Sequence, residues 1–387
     1  MRVPVQPLML RWAVERAGLS DDDVRTRFAK YGDWLSGTVH PTFKQLQSFA
    51  HATHASIGYF FLSTPPALGV PIPDFRTFGD QRPGDPSPDL LDTIYLCQQR
   101  QDWYVGYAKS SGAEPLAFVG SLNLRSAVVE AADAIRGVLG FDVAARQRLS
   151  TWEEALRQFI QLADAAGVLV MVSGVVGGNN TRKLNTEEFR GFALSDPIAP
   201  LVFVNGADTR SAQMFTLAHE LAHLWLGESA LSNSTVAEVP AQRVEQWCNR
   251  VAAEVLVPLE SFRAAYRPGD PIDPEMNRLA RRYKVSTLVI LRRMHDSGGL
   301  TQKRFWSVYS AEVVRLLAIM RDRTGGGDYY RTTTSRASHR FIRGIVTSAL
   351  EGQSTFTEAF RLLGCKKMST FAELGHHVGI NVEGSVA

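Results

Sequence analysis

The stretch from Phe215 to Gly227 reads FTLAHELAHLWLG, an apolar run that carries two histidines and a glutamate in the spacing H-E-x-x-H. On a helix, His219 and His223 lie four residues apart on one face, so both imidazoles can reach a single ion. Glu220 is turned by about 100° from His219; it can touch water beside such an ion but is poorly placed to ligate. Two ligands and one base is the division of labour this spacing supports. The bland alternative is a helix whose polar groups hydrogen-bond within a groove. Two imidazoles and a carboxylate in an apolar helix are costly unless they pair or ligate, which favours the metal.

A catalytic zinc needs a third protein ligand and an open position. The extended pattern with a third histidine fails, because Leu226 and Ser229 stand where Gly and His would be required. Glu245 is the better candidate. It sits in the next helical run, VEQWCNRVAAEVLVP, with Asn249 one turn on to orient an imidazole. Glu254 on the same run and Glu238 in the loop before it are rivals. Zinc there would bring the pKa of a bound water toward ~7. Glu220 would take the water's proton as it attacks a carbonyl carbon and then deliver it to the leaving amine. Peptide-bond hydrolysis is the default reaction. The strand PLVFVN, just before the helix, is expected to take an extended peptide by strand addition at the sheet edge.

The elements that must position these groups are mostly helical. The 387 residues are enough for two or three domains. Helical spacing runs through PLMLRWAVERAG, stopped by Gly18; Ser20 caps a helix opening at DDD, and Pro41-Thr42 opens PTFKQLQSFAHATHAS. Seven prolines crowd residues 65–88, which therefore read as a linker or extended packing arm. Helices resume over 89–160. GVLVMVSGVV, EFRGFALS and PLVFVN read as strands, and the remainder is helical, broken by Gly325-Gly326-Gly327. The expected fold is α+β and predominantly helical. It comprises a small helical domain (1–64), the arm (65–88), a helical segment (89–160), a metal-binding domain with a short sheet (161–300) and a helical C-terminal extension (301–387). Cys97, Cys248 and Cys365 are too few and too scattered for a disulfide framework and fit a reducing compartment. No apolar run approaches the ~18 residues of a membrane span. A cytoplasmic location is the expectation.

FRGFALSDPIAPLVFVNGADTRSAQMFTLAHELAHLWLG and EQWCNRVAAEVLVP resemble the ImmA/IrrE family of zinc-dependent metallopeptidases, over roughly residues 160–300. The resemblance implies a zincin-like domain that binds Zn2+ through His219, His223 and Glu245, with Glu220 as the base. It implies a regulatory peptidase that cleaves a repressor or partner protein, often with an N-terminal Xre-type helix-turn-helix. The tail from Gly325 to Gly364 is similar to the extension of long members associated with toxin–antitoxin gene pairs. That implies an alternative: an antitoxin or transcriptional regulator that binds and neutralises a PIN-type ribonuclease toxin, with proteolysis secondary or absent.

Two segments are candidates for DNA. Residues 1–64 resemble the Xre-type module, yet only AKYGD separates Phe28 from Trp34, too short for a full turn and recognition helix. Seven Lys/Arg against five Asp/Glu leave a net of +2 there, little for phosphate contact. The run DPEMNRLARRYKVSTLVILRRM has the spacing of a helix, a tight turn and a second helix, and residues 278–343 carry fifteen Lys/Arg against four Asp/Glu, a net of +11. The competing reading is a basic face packed against the acidic remainder, the helix pair completing the peptidase domain. His376 and His377 read as surface residues at the end of a helix.

Overall fold

The structure, a computed structural model, describes residues 1–75, 85–232, 242–321 and 336–382. Glu238 and the triple glycine at 325–327 lie outside them. The chain divides into two units: Met1–Pro71 with Arg82–Ile94, and Ile72–Gln81 with Tyr95–Ala387.

The first unit holds α1 (Pro7–Arg16), α2 (Asp21–Arg27), α3 (Tyr31–Ser36), α4 (Phe43–Ala52) and a 3-10 turn at Ile57–Phe61. Local chemistry sets the boundaries. Pro7 starts α1, where its missing N–H costs nothing. The Ser20 hydroxyl accepts from the Asp23 N–H at 3.2 Å, and Thr42 and Gln45 close a reciprocal capping box on α4. Phe49 gathers the core, packing against Phe28, Tyr31, Trp34 and Phe60. The short α3 turns Tyr31 and Trp34 inward and leaves Asp33 and Ser36 exposed, so it presents no Lys or Arg.

The boundary between the units falls within α5 (Pro88–Ser110). The second unit continues through α6 (Val128–Leu139), α7 (Val143–Gln147) and α8 (Trp152–Ala165). β1 (Leu169–Ser173), β2 (Gly191–Leu194) and β3 (Leu201–Asn205) follow, then α9 (Arg210–Leu226), β4 (Ala230–Ser232) and α10 (Arg243–Leu256). After these come α11 (Leu259–Ala265), α12 (Ile272–Tyr283), α13 (Thr287–Asp296), α14 (Gln302–Arg321), α15 (His339–Leu350), α16 (Phe356–Leu363) and α17 (Met368–His377). The expected class, predominantly helical α+β with a short sheet, is what the chain forms. No helix among the described residues is long and apolar enough to cross a membrane. The three cysteines are free and buried.

The sheet is four-stranded and mixed, in the order β1-β3-β2-β4. β3 runs parallel to β1, with Leu169 opposite Leu201, and antiparallel to β2, with Phe192 opposite Phe203. PLVFVN is therefore an interior strand, hydrogen-bonded on both sides, and cannot accept a peptide as the sequence suggested. The outer strands are β1 and β4. On one face Val170, Val172, Ala193, Val202 and Val204 join the core of α9 through Leu217, Ala218 and Leu221. On the other, Phe192 and Phe203 stack with centroids 4.9 Å apart. Burial on both faces is why these strands read as unbroken apolar runs rather than alternating ones.

α10 lies along α9 and α6. Three guanidiniums hold its C-terminal end: Arg136 donates to the Glu254 carbonyl at 2.6 Å, Arg293 to that of Val257 at 2.9 Å, and Arg146 to that of Leu256. Helix C-terminal carbonyls lack intrahelical donors and carry partial negative charge, so cations there both satisfy and stabilise them. This clamp fixes the register of α10 beside α9.

The basic helix pair has the expected spacing. α12 ends at Lys284, with φ 52°, and Ser286 caps α13. Much of its charge is spent internally: Arg278 pairs with Glu275, Arg292 with Asp296, Arg293 with Glu254, and Arg315 of α14 with Glu312. His376 and His377 are exposed at the end of α17.

Candidate metal centre

Thr209 caps α9 by accepting from the Ala212 N–H at 3.2 Å. Gly227, with φ 73°, ends the helix just past His223, whose carbonyl accepts the Glu228 N–H at 3.1 Å. Between these stops, α9 buries His219, Glu220 and His223, none more than 1% exposed. The two Nε2 atoms face each other at 3.2 Å. Glu245, in the first turn of α10 and equally buried, brings Oε2 to 3.2 Å from His219 Nε2 and Oε1 to 2.9 Å from His223 Nε2.

This triangle suits a small cation. Donors about 2.0–2.1 Å from a tetrahedral zinc stand roughly 3.3 Å apart, close to the separations seen here. Among the described residues, His219, His223 and Glu245 are the group that could hold a metal ion. The neighbourhood also concentrates unsatisfied polar atoms. Both Nδ1 atoms, both Glu220 oxygens and both Asn249 amide atoms are buried without a hydrogen-bond partner. Buried polar atoms are rarely left so, and a cluster of them marks a place where something else binds.

Electrostatics sort the groups. Burial works against charge on Glu245, yet the His219 and His223 rings hold its carboxyl well below the usual carboxylate range. Burial pushes His223 down, toward the neutral imidazole that a metal ligand must be. It acts the same way on His219, where Glu245 and Glu220 outweigh it and raise the ring. Burial lifts Glu220 to about 8; a cation alongside would draw it back down.

Of the two rivals, Glu254 is taken. Its Oε2 accepts from Arg293 at 2.8 Å, and its carboxylate receives the Leu259 N–H at 3.1 Å, at the far end of α10. Glu238 is outside the described residues. Asn249 lies beside the His219 ring, near enough to favour its charged form, without completing a hydrogen bond.

Three further residues shape the site and were not singled out in the sequence. A Cβ on Gly191 of β2 would stand 2.5 Å from the Thr216 side chain, 2.8 Å from the Phe203 carbonyl and 3.2 Å from Glu220 Cγ. Only glycine lets β2 run this close to α9 at the level of Glu220. Ser232 of β4 faces Glu220 and favours its charged form. The Phe75 ring lies nearly parallel to that of His223, centroids 6.0 Å apart. A glycine inside a strand run is the only one of the three signals that sequence offers.

Residues 163–295 match the family model described as the IrrE N-terminal-like domain, Peptidase_M78. The match supports the ImmA/IrrE family and a metallopeptidase-type function for this span. The span holds the whole sheet, α9, α10 and the α12–α13 pair, so the basic pair belongs to the matched region. Residues 337–377, covering α15 to α17, match a domain of unknown function (DUF8813). No curated protein matches the chain.

Proposed function

We propose that the chain is a zinc-dependent metallo-endopeptidase with a regulatory role, acting on a partner protein. The observation that carries this reading is the closed triangle of His219, His223 and Glu245 donor atoms, with the unpartnered Glu220 carboxylate beside it. His219, His223 and Glu245 would hold Zn2+, which would supply Lewis acidity to water and to a carbonyl oxygen. Glu220 accepts the proton of the attacking water and passes it to the leaving amine. Gly191 lets the β2 backbone approach α9 closely where Glu220 stands. Asn249 stands beside the His219 ring, where a hydrogen bond closed on metal binding would orient that ring, as outer partners of ligating imidazoles commonly do.

The test is metal analysis paired with a cleavage assay against co-expressed neighbouring proteins. Gently purified chain is expected to carry about one zinc, as a three-ligand catalytic site holds. Glu220→Gln is expected to retain it while cleavage drops by about 10²–10⁴-fold, the usual weight of a general base. Equal cleavage by Glu220→Gln would refute the base assignment, and zinc-free protein would refute the enzyme reading.

A further inference from the structure

β4 is an outer strand, and its inner side pairs with β2. Its outer side is paired too, by the chain itself. The Leu231 N–H donates to the Pro73 carbonyl at 2.9 Å, and the Phe75 N–H donates to the Leu231 carbonyl at 3.0 Å. Asp74 bridges Leu231 in parallel register. Both outward backbone groups of Leu231 are thus consumed by the segment Pro73–Phe75. The same segment sets the half-buried Phe75 ring against the imidazole of His223.

The position of this contact sets it apart from ordinary linker packing. Ser232, the residue after Leu231, faces Glu220, so the occupied edge runs directly beside the proposed chemistry. An extended peptide recognised by strand addition needs an unpaired edge, with main-chain groups for affinity and a pocket for a side chain. β4 supplies such an edge, and Pro73–Phe75 already fills it with two backbone hydrogen bonds and one aromatic ring. Proline at 71 and 73 has no N–H to offer, which blunts the arm against recruiting a further strand.

We propose that Pro73–Phe75 is an internal occupant of the peptide-docking edge of β4. The resting chain is self-blocked, and an extended partner segment bearing an aromatic residue at the Phe75 position must displace the arm. This deepens the peptidase reading and rests on it for the meaning of the block, while the occupancy can be tested without turnover.

The experiment uses the full chain and a fluorescent peptide with the sequence of residues 69–75, GVPIPDF, followed by anisotropy. Phe75→Pro removes the N–H given to Leu231, and Phe75→Ala removes only the ring, a milder change should the first variant fold poorly. Both variants are expected to bind the peptide at least tenfold more tightly than the unaltered chain. Hydrogen exchange at the Leu231 amide is expected to quicken at least tenfold in Phe75→Pro. Equal peptide binding in all three proteins, absence of binding included, would overturn the proposal. If the peptide binds the opened variants but zinc-loaded Phe75→Ala cleaves nothing, the block stands and the peptidase reading falls. Cleavage at equal rates, with equal peptide binding, keeps the peptidase and removes the block.

Discussion

Glu245 and Glu254 are buried carboxylates on the same helix, and they are met in opposite ways. Glu254 takes a guanidinium, Arg293, and an N–H from the start of α11. Glu245 faces two imidazoles across 2.9 and 3.2 Å. A guanidinium keeps its charge under all ordinary conditions and makes its partner part of the frame. An imidazole, unlike a guanidinium, can give up its proton, regain a lone pair to donate and leave its partner available for a cation. Residue type and burial are alike at the two positions. What separates a structural acid from a candidate ligand is the chemistry facing it.

The sharpest way to break that contrast is His219→Ala. It removes one corner of the triangle, and bound zinc is expected to fall from about one ion per chain to trace levels, read by mass spectrometry of the metal. Full retention would mean that the triangle of His219, His223 and Glu245 is not what holds the ion. Arg293→Ala probes the other side. Stranding Glu254 should lower unfolding free energy by about 3–5 kcal/mol, the usual result of removing one partner from a buried ion pair. Urea denaturation measures this, and the zinc content of the folded fraction should not change. Loss of metal here would show that the two carboxylates do not act separately. Asn249→Ala has the smallest expected effect: metal affinity weaker by about 10–100-fold with the fold intact, as read by chelator competition. Unchanged affinity would leave Asn249 as helix packing alone.

How much of this was legible in the sequence depends on the range of the interaction. His219, Glu220 and His223 are set by the helical repeat, and their shared face follows from spacing alone. Glu245 lay in the following helix, and its preference over Glu254 could be argued but not closed from sequence, because Arg293 meets Glu254 from α13, far along the chain. Strand order is a long-range property. From sequence PLVFVN reads as a docking edge, yet its unbroken apolar run is equally what an interior strand produces, and β3 is interior. The proline-dense segment announced only that it was neither helix nor central strand. Nothing in Ile72-Pro73-Asp74-Phe75 tells which edge it lies on. Likewise Gly191 is an unremarked residue within the run EFRGFALS, and its meaning comes from the Thr216 and Glu220 side chains it accommodates.

The strand laid on β4 by Pro73 and Phe75 belongs to the same polypeptide, so its local concentration is set by covalent linkage, on the order of millimolar when a linked segment reaches its site. Dilution does not weaken it, and a free peptide present at micromolar levels competes at a disadvantage of about a thousandfold unless other surfaces hold it in place. On the self-blocked reading proposed above, a partner that displaces the arm needs more than one point of attachment.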